Sequence, residues 1–285
     1  MNTKIFATLE VAEQFSRSGV STAEFVRRDM RKKIFLIAGT QDGRELAQLL
    51  IERGFDVTAS VVSDYGRKLL QTCAGLKIND KPLDADELEK ILRKENFDAL
   101  VDASHPYAQN VSANAIRAAQ AANIFYVRYE RAQVEVTGEN IFRVDDYESA
   151  AVKASQLGKN IFVTTGSRNL KTFVESPALK DCNLTVRVLP TADVLAQCEA
   201  LGLSPKQIVA IQGPFTVALN VELFRHVQAE VVVTKNSGQV GGADTKLAAA
   251  AILNLPVVMI DRPKIDYSNL AATFADVLTL LEELS

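Results

Sequence analysis

The chain has 285 residues, 47% apolar and 24% charged, with a formal net charge of −3 and a pI near 5.6. These proportions are those of a folded globular protein rather than a disordered one. The length predicts two domains, although one α/β barrel would also be allowed, and the slight acidity gives no general attraction to nucleic acid.

Cys73, Cys182 and Cys198 stand far apart in no paired spacing, which argues against a disulfide framework or a zinc site. No apolar run approaches the roughly 18 residues needed to cross a bilayer, and the N-terminus lacks the apolar core of a secretory signal. The expectation is a cytoplasmic protein with no membrane partner.

Residues 1–32 carry a basic cluster (Arg27, Arg28, Arg31, Lys32) before the first apolar run. An organelle-targeting leader is one reading; Glu10, Glu13, Glu24 and Asp29 argue against it, because such leaders are poor in acid. An N-terminal extension, either an extra helix or a loosely ordered arm, is expected instead. From Lys33 the pattern becomes regular. KIFLIAG is a strand ending in glycine, and RELAQLLIERG is the helix after it, closing at Gly54. DVTASVVS (56–63) is a second strand and YGRKLLQTC starts a second helix. DADELEKILRKENF (84–97) has an acidic start and places Leu88, Ile91 and Leu92 at helical spacing, and ALVDAS is the third strand. The helix SANAIRAAQAAN leads to the strand FYVRYER. This alternation predicts a parallel sheet covered on both faces.

VEVTGENIFRVDDY then mixes short strand-like pieces with turns, and the domain junction is placed there, dividing the chain into residues 33–150 and 151–285. The second half repeats the grammar with the strands NIFVTTG, LTVRVLP, QIVAIQG, EVVVTKN and PVVMIDR, and the C-terminal strand can complete either sheet.

In such sheets ligands bind outside the carboxyl ends of the strands. After the first strand come Gly39, Thr40, Gln41, Asp42 and Gly43, whose glycines permit close backbone approach to a pyrophosphate at a helix N-terminus. The loop falls short of a full GxGxxG, and a bare turn and cap explains it equally well. After the second strand, Ser63, Asp64, Tyr65, Gly66 and Arg67 stand where dinucleotide folds read the adenosine ribose. Acid there suits NAD, whereas Arg67 or Lys68 suits the 2'-phosphate of NADP, so the cofactor is NADPH or NADH. The third strand ends in Asp102, Ser104, His105, Pro106 and Tyr107. His105 is either a general acid or a residue that caps a helix or packs on a cofactor. With only His105 and His226 in the chain, a histidine-rich metal site is excluded. In the second half, Thr164 to Ser167 form a small polar loop, as do Gln212 to Phe215. Thr234 to Gly238, followed by Gly241, Gly242 and Lys246, join flexible backbone to two cations, an arrangement suited to anionic groups.

Taken in order, DASHPYA (102–108), RYER (128–131), TTGSRNL (164–170), RVLPT (187–191), IQGPFTVALN (211–220), TKNSGQVGGADTKLAAA (234–250) and VVMIDRP (257–263) resemble the precorrin-6A reductase family from about residue 33 onward. Ala132 departs from the proline common there. The resemblance implies an α/β fold of two Rossmann-like domains with parallel sheets, able to exchange a strand, with the active site in the interdomain cleft. It implies hydride transfer from NAD(P)H to a double bond of precorrin-6A or its cobalt counterpart. The partner is then a small-molecule tetrapyrrole, with transient hand-over to other enzymes of the cobalamin pathway. Cofactor contacts are expected from Gly39, Thr40, Gln41, Asp42, Gly43, Ser63, Tyr65, Gly66, Arg67, Ser104, His105 and Pro106. The acetate and propionate arms of the substrate need cations and backbone donors: Arg128, Arg131, Lys235 and Lys246, assisted by Thr165, Gly166, Ser167, Ser237 and Gly238. The catalytic proton donor stays open among His105, Tyr107, Lys235 and solvent. Two other readings stand beside this one, an oxidoreductase acting on another small acid and an NAD(P)-binding regulatory module that signals by closure.

Overall fold

Apolar runs too uniform for half-exposed strands become the middle of two parallel sheets in the computed structural model, which describes residues 31–61, 64–131, 138–237 and 242–284, with the side chains of residues 64 and 65 undescribed. Residues 1–30, Ser63, Ala132 and Gly238 lie outside that set.

The first unit runs β1 (Lys33–Ile37), α1 (Gln41–Glu52), β2 (Asp56–Ser60), α2 (Asp64–Leu70), β3 (Lys77–Asn79), α3 (Ala85–Lys94), β4 (Ala99–Asp102), α4 (Gln109–Ala122) and β5 (Phe125–Tyr129). Its core explains the sequence of β1. Ile34 and Leu36 face one side, packing with Leu46, Ala47 and Leu50 of α1, while Phe35 faces the other, among Leu88, Leu92, Ala115 and Ala119 of α3 and α4. A strand buried on both faces has no polar alternation. Helix α3 is opened by a reciprocal capping box between Asp84 and Glu87, which orients Leu88 and Leu92 into that second core.

The second unit runs β6 (Ile141–Val144), α5 (Tyr147–Leu157), β7 (Asn160–Val163), α6 (Leu170–Val174), β8 (Asn183–Val188), α7 (Ala192–Ala200), β9 (Ile208–Ala210), α8 (Val217–His226), β10 (Val231–Lys235), α9 (Ala243–Ile252) and β11 (Val257–Ile260). The chain then ends with β12 (Leu270–Ala271) and α10 (Phe274–Glu282). The sheets are ordered β12-β5-β4-β1-β2-β3 and β6-β11-β10-β7-β8-β9, with every pairing parallel. The first is the doubly wound order 3-2-1-4-5-6 with its sixth place taken by the last strand of the chain.

The junction expected near residue 150 is displaced accordingly. β6 pairs with β11, so the second unit begins at Arg131, and residues Asp266–Ser285 belong to the first unit. The PVVMIDR run stays in the second sheet as β11, and it is the short, unforeseen β12 that pairs with β5. Among the described residues no helix is long and apolar enough to cross a membrane.

The returning segment is part of the first core. Ala271, Val277 and Leu281 are wholly buried and Leu278 nearly so, Arg128 and Glu130 donate backbone N–H bonds to Asn269 and Ala271, and Lys32 Nζ caps the carbonyls of Leu281, Glu282 and Leu284. Burying Val277, Leu278 and Leu281 is worth about 1.5–3 kcal/mol each, comparable in sum to the whole margin of about 5–15 kcal/mol of a typical domain. A chain ending at Ile265 is therefore expected to lose hydrogen-exchange protection throughout β1, β4 and β5. Full protection of those amides would show that the first core closes without β12 and α10.

Candidate functional site

Each sheet reverses its winding at one place, between β1 and β4 in the first unit and between β7 and β10 in the second, and ligands of doubly wound sheets lie beyond the strand ends at such a place. The candidate residues gather at these two edges.

At the first edge, Thr40 caps α1, its hydroxyl accepting from Gly43 N at 3.0 Å and donating to Ala103 O at 3.1 Å, which ties the loop after β1 to the loop after β4. The two glycines differ. A Cβ on Gly43 would lie 2.8 Å from Ala38 Cα, so this glycine lets helix and strand pack together, whereas a Cβ on Gly39 would meet nothing within 4 Å. An open, glycine-entered helix start fits the phosphates of a dinucleotide. Gln41 lies at the exposed start of α1, bonding Glu45, and Asp42 is buried in the first turn. After β2, Tyr65, Gly66 and Arg67 fall within α2, where Arg67 lies 3.5 Å from Asp80.

Beyond β4, Asp102 is the centre of a buried network. It accepts from Ser104 N, Ser112 Oγ (2.6 Å), Tyr126 Oη (3.1 Å) and Arg128 Nη1 (2.9 Å). Arg128 also donates to Ser104 Oγ, pairs with Glu130 at 3.1 Å and lies 5.5 Å from the Tyr267 ring centroid. Burial opposes its charge, but Asp102, Tyr267 and Glu130 outweigh this and raise its pKa. Burial, then Asp102, raises the phenol of Tyr126 far above its usual range. Arg128, expected among the substrate contacts, is 0% exposed with its donors engaged inside the unit, where it holds the Ser104–Pro106 loop from behind. In that loop His105 Nδ1 accepts from Tyr107 N at 3.2 Å, and Pro106 is buried.

At the second edge the register places Arg187 of β8, Thr164 after β7 and Thr234 of β10 at one level across the sheet, each one residue beyond the aligned Val186, Val163 and Val233. Neighbours at one level of a parallel sheet point to the same face. Arg187 lies 4.2 Å from the Phe215 ring centroid and 5.8 Å from that of Phe162, and donates to Asn220 Oδ1 at 2.8 Å. Lys246 of α9 donates to Thr234 Oγ1 at 3.3 Å. Both cations are only 6% exposed, and neither forms an ion pair among the described residues. Burial lowers the pKa of Arg187 to about 10; burial, then Arg187 and Lys235, lowers Lys246 to about 7; burial, then Arg168, lowers Lys235 to about 8. The buried Thr165 Oγ1 at the same edge meets no hydrogen-bond partner among the described residues, and Gly166 beside it takes φ +80° with open space where a Cβ would stand, ahead of Ser167. Arg131 Nε donates to Ser237 O at 2.9 Å and Arg131 O accepts from Arg262, so Arg131 and Ser237 are joined within this unit.

Concentrated positive charge without an acidic partner is what an anionic ligand needs. Arg187 and Asn220 were not singled out as ligand residues by the sequence. The signal was an arginine inside the apolar strand run LTVRVLP.

Residues 33–282 match the precorrin-6x reductase CbiJ/CobK family. The cobalt-precorrin-6A reductase of Priestia megaterium is 42% identical, covering 87% of this chain and 97% of that protein, and that of Methanocaldococcus jannaschii is 40% identical, covering 82% and 92%. The precorrin-6A reductase of Rhodobacter capsulatus is 29% identical, covering 88% and 96%. Among solved structures, a CobK precorrin-6A reductase superposes with a TM-score of 0.74 at 26% identity, covering 89% of this chain and 97% of that one.

Arg128 and Arg187 should respond differently to removal of charge. Arg128→Met strands Asp102 in the interior and is expected to cost about 3–5 kcal/mol. Arg187→Met removes a buried charge with no acid beside it and is expected to change stability by less than about 1.5 kcal/mol. Urea unfolding of both variants checks this, and equal losses would contradict the distinction.

Proposed function

Because the chain belongs to the precorrin-6x reductase family, we propose that its substrate is the cobalt-containing macrocycle, cobalt-precorrin-6A, and that its two units divide the binding of nucleotide and macrocycle. The family reaction is the NAD(P)H-dependent reduction of one macrocycle C=C bond in cobalamin biosynthesis. The choice of the cobalt form follows the relatives: those at 42% and 40% identity are cobalt-precorrin-6A reductases, whereas the precorrin-6A reductase of Rhodobacter capsulatus stands at 29%.

The first unit holds the nucleotide. Thr40 fixes the start of α1, Gly43 brings the helix against β1, and the open side of Gly39 leaves room for phosphate against the first-turn amides. Arg67 and Lys68, following β2, favour a 2'-phosphate and hence NADPH. The Asp102–Arg128 network keeps the Ser104–Pro106 loop rigid beside this edge. When bound, the reduced nicotinamide supplies the hydride. The protein's task is then alignment and exclusion of water, which calls for fixed loops rather than a nucleophile.

The second unit holds the macrocycle by its carboxylate arms. The observation that carries this reading is the pair of buried cations, Arg187 and Lys246, that meet no acid among the described residues. Lys235, Arg131, Ser237 and the Thr165–Ser167 loop complete the donors offered to the arms.

Anaerobic incubation with NADPH or NADH and either macrocycle tests the reading. The expected result is stoichiometric NADPH loss with a mass gain of about two hydrogens in cobalt-precorrin-6A, the sum of hydride and proton. Nucleotide binding with no reduction of either macrocycle would favour a regulatory module. Gly39→Val is expected to raise the KM for NADPH at least about tenfold while leaving the fold intact, since a Cβ there meets no protein atom within 4 Å; Gly43→Val, whose Cβ would lie 2.8 Å from Ala38 Cα, is expected to destabilise the first unit. Unchanged KM in Gly39→Val would reduce the loop to a turn.

A further inference from the structure

The second-unit edge places an ammonium group where nothing supplied by the described residues balances it. Lys246 sits on α9 over the face of the sheet that carries Thr234, Arg187 and Phe162, and the one described hydrogen bond of its ammonium is to a neutral hydroxyl. The charged groups facing it are Arg187 from β8 and Lys235 from β10, both of its own sign, and Asp244 from the first turn of its own helix, the weakest of the influences. Arg168, from the loop before α6, adds positive charge beside Lys235. Arg187 cannot relieve the repulsion by losing its proton near neutral pH, because guanidinium stays charged. Of the two nearly buried cations, Lys246 is therefore the one that can yield.

Resting on the reading that this edge receives a carboxylate arm of the macrocycle, we propose that Lys246 binds its proton and the arm together. It takes the proton from solvent as the carboxylate enters and returns it to solvent when the product leaves. The arm stays ionised throughout, and no other bond changes. Thr165 Oγ1, an unpartnered buried hydroxyl among the described residues, supplies a neutral donor at the same edge that needs no change of protonation. Burial and the neighbouring cations hold the ligand-free ammonium at a pKa of about 7, far below the usual lysine value of about 10.4, so an arriving anion has a proton to recruit near neutrality.

The sign of the pH dependence follows. In the ligand-free protein the unfolded chain holds this proton up to about pH 10.4, while the folded chain sheds it above about pH 7. The destabilisation due to Lys246 is therefore full below pH 7 and fades as the pH rises toward 10. Lys246→Met keeps most of the side-chain length and removes the charge. It is expected to melt above wild type below pH 7, with the difference shrinking as pH rises, and to bind the macrocycle at least about tenfold more weakly, the loss of one charge-assisted contact.

Calorimetric titration of the nucleotide-free protein with cobalt-precorrin-6A, run anaerobically at about pH 7.5 in HEPES and in Tris, counts the protons taken up from the difference in buffer ionisation heat. The expected count is more than about half a proton for wild type, falling to background in Lys246→Met. Tight binding by wild type with no uptake, or the same uptake in wild type and Lys246→Met, overturns the coupled protonation while leaving the assignment of the pocket in place. Unchanged affinity in Lys246→Met overturns that assignment itself. A wild-type count of zero overturns the coupled protonation without any variant, so the proposal can fail even if the substitution does not fold.

Discussion

A buried guanidinium must be met by an acid, by hydrogen bonds or by a ligand, because moving it out of water costs several kcal/mol. Among the described residues two lie buried within parallel strands, and they are answered in two ways. Arg128 is surrounded by Asp102, Glu130 and the Ser104 hydroxyl, and its charge is fully used inside the first unit. Arg187 lies near Phe215 and Phe162 and meets one side-chain amide, so its charge is retained but not consumed. The first arrangement makes a rigid support, whereas the second leaves an electrostatic demand to be satisfied from outside.

Both arrangements depend on parallel topology. In a parallel sheet every strand end of one sense lies along one edge, so residues from strands distant in sequence come to the same level: Arg187, Thr164 and Thr234 are joined only by register. The helices finish each edge. Gly43 lets α1 approach β1 closely enough for Thr40 to bridge the loops after β1 and β4, and α9 brings Lys246 over Thr234. The glycine that matters for packing is thus distinct from the one that leaves room for a ligand.

Most of this was legible in the sequence as local pattern. Strand-turn-helix alternation and the carboxyl-end loops depend on nearby residues, and KIFLIAG and ALVDAS became β1 and β4 as their apolar character requires. What was not legible depends on distant pairing. β12 is two residues long and carries no strand signal; it exists because β5 offers an unpaired edge. β6 lies in a stretch of mixed character and pairs with β11, far along the chain, which is why the expected boundary fell too late. Arg128 and Arg187 have nearly the same surroundings in sequence, FYVRY and TVRV, yet opposite electrostatics, because Asp102 stands beside the first and no described acid pairs with the second. A strand sequence reports that an arginine is buried; its neighbours across the sheet determine what the arginine is for.

Leaving cations unmatched gives a binding edge properties that pre-formed ion pairs would not. A pocket lined by Arg–carboxylate pairs must break an internal bond for each ligand carboxylate it accepts, so much of the interaction is spent on exchange. At the second edge there is no such partner to displace from Arg187 or Lys246 among the described residues, and the guanidinium is already positioned by Phe215 and Asn220. Fixing donors in advance removes an ordering cost at the moment of binding. The accompanying loss of stability due to Lys246 fades as the pH rises from about 7 toward about 10, because lysine, unlike arginine, can discard its proton when no anion is present. In the proposed role, one permanent and one yielding cation together keep a strong field for a polycarboxylate while limiting, above about pH 7, the repulsion that the empty edge must bear.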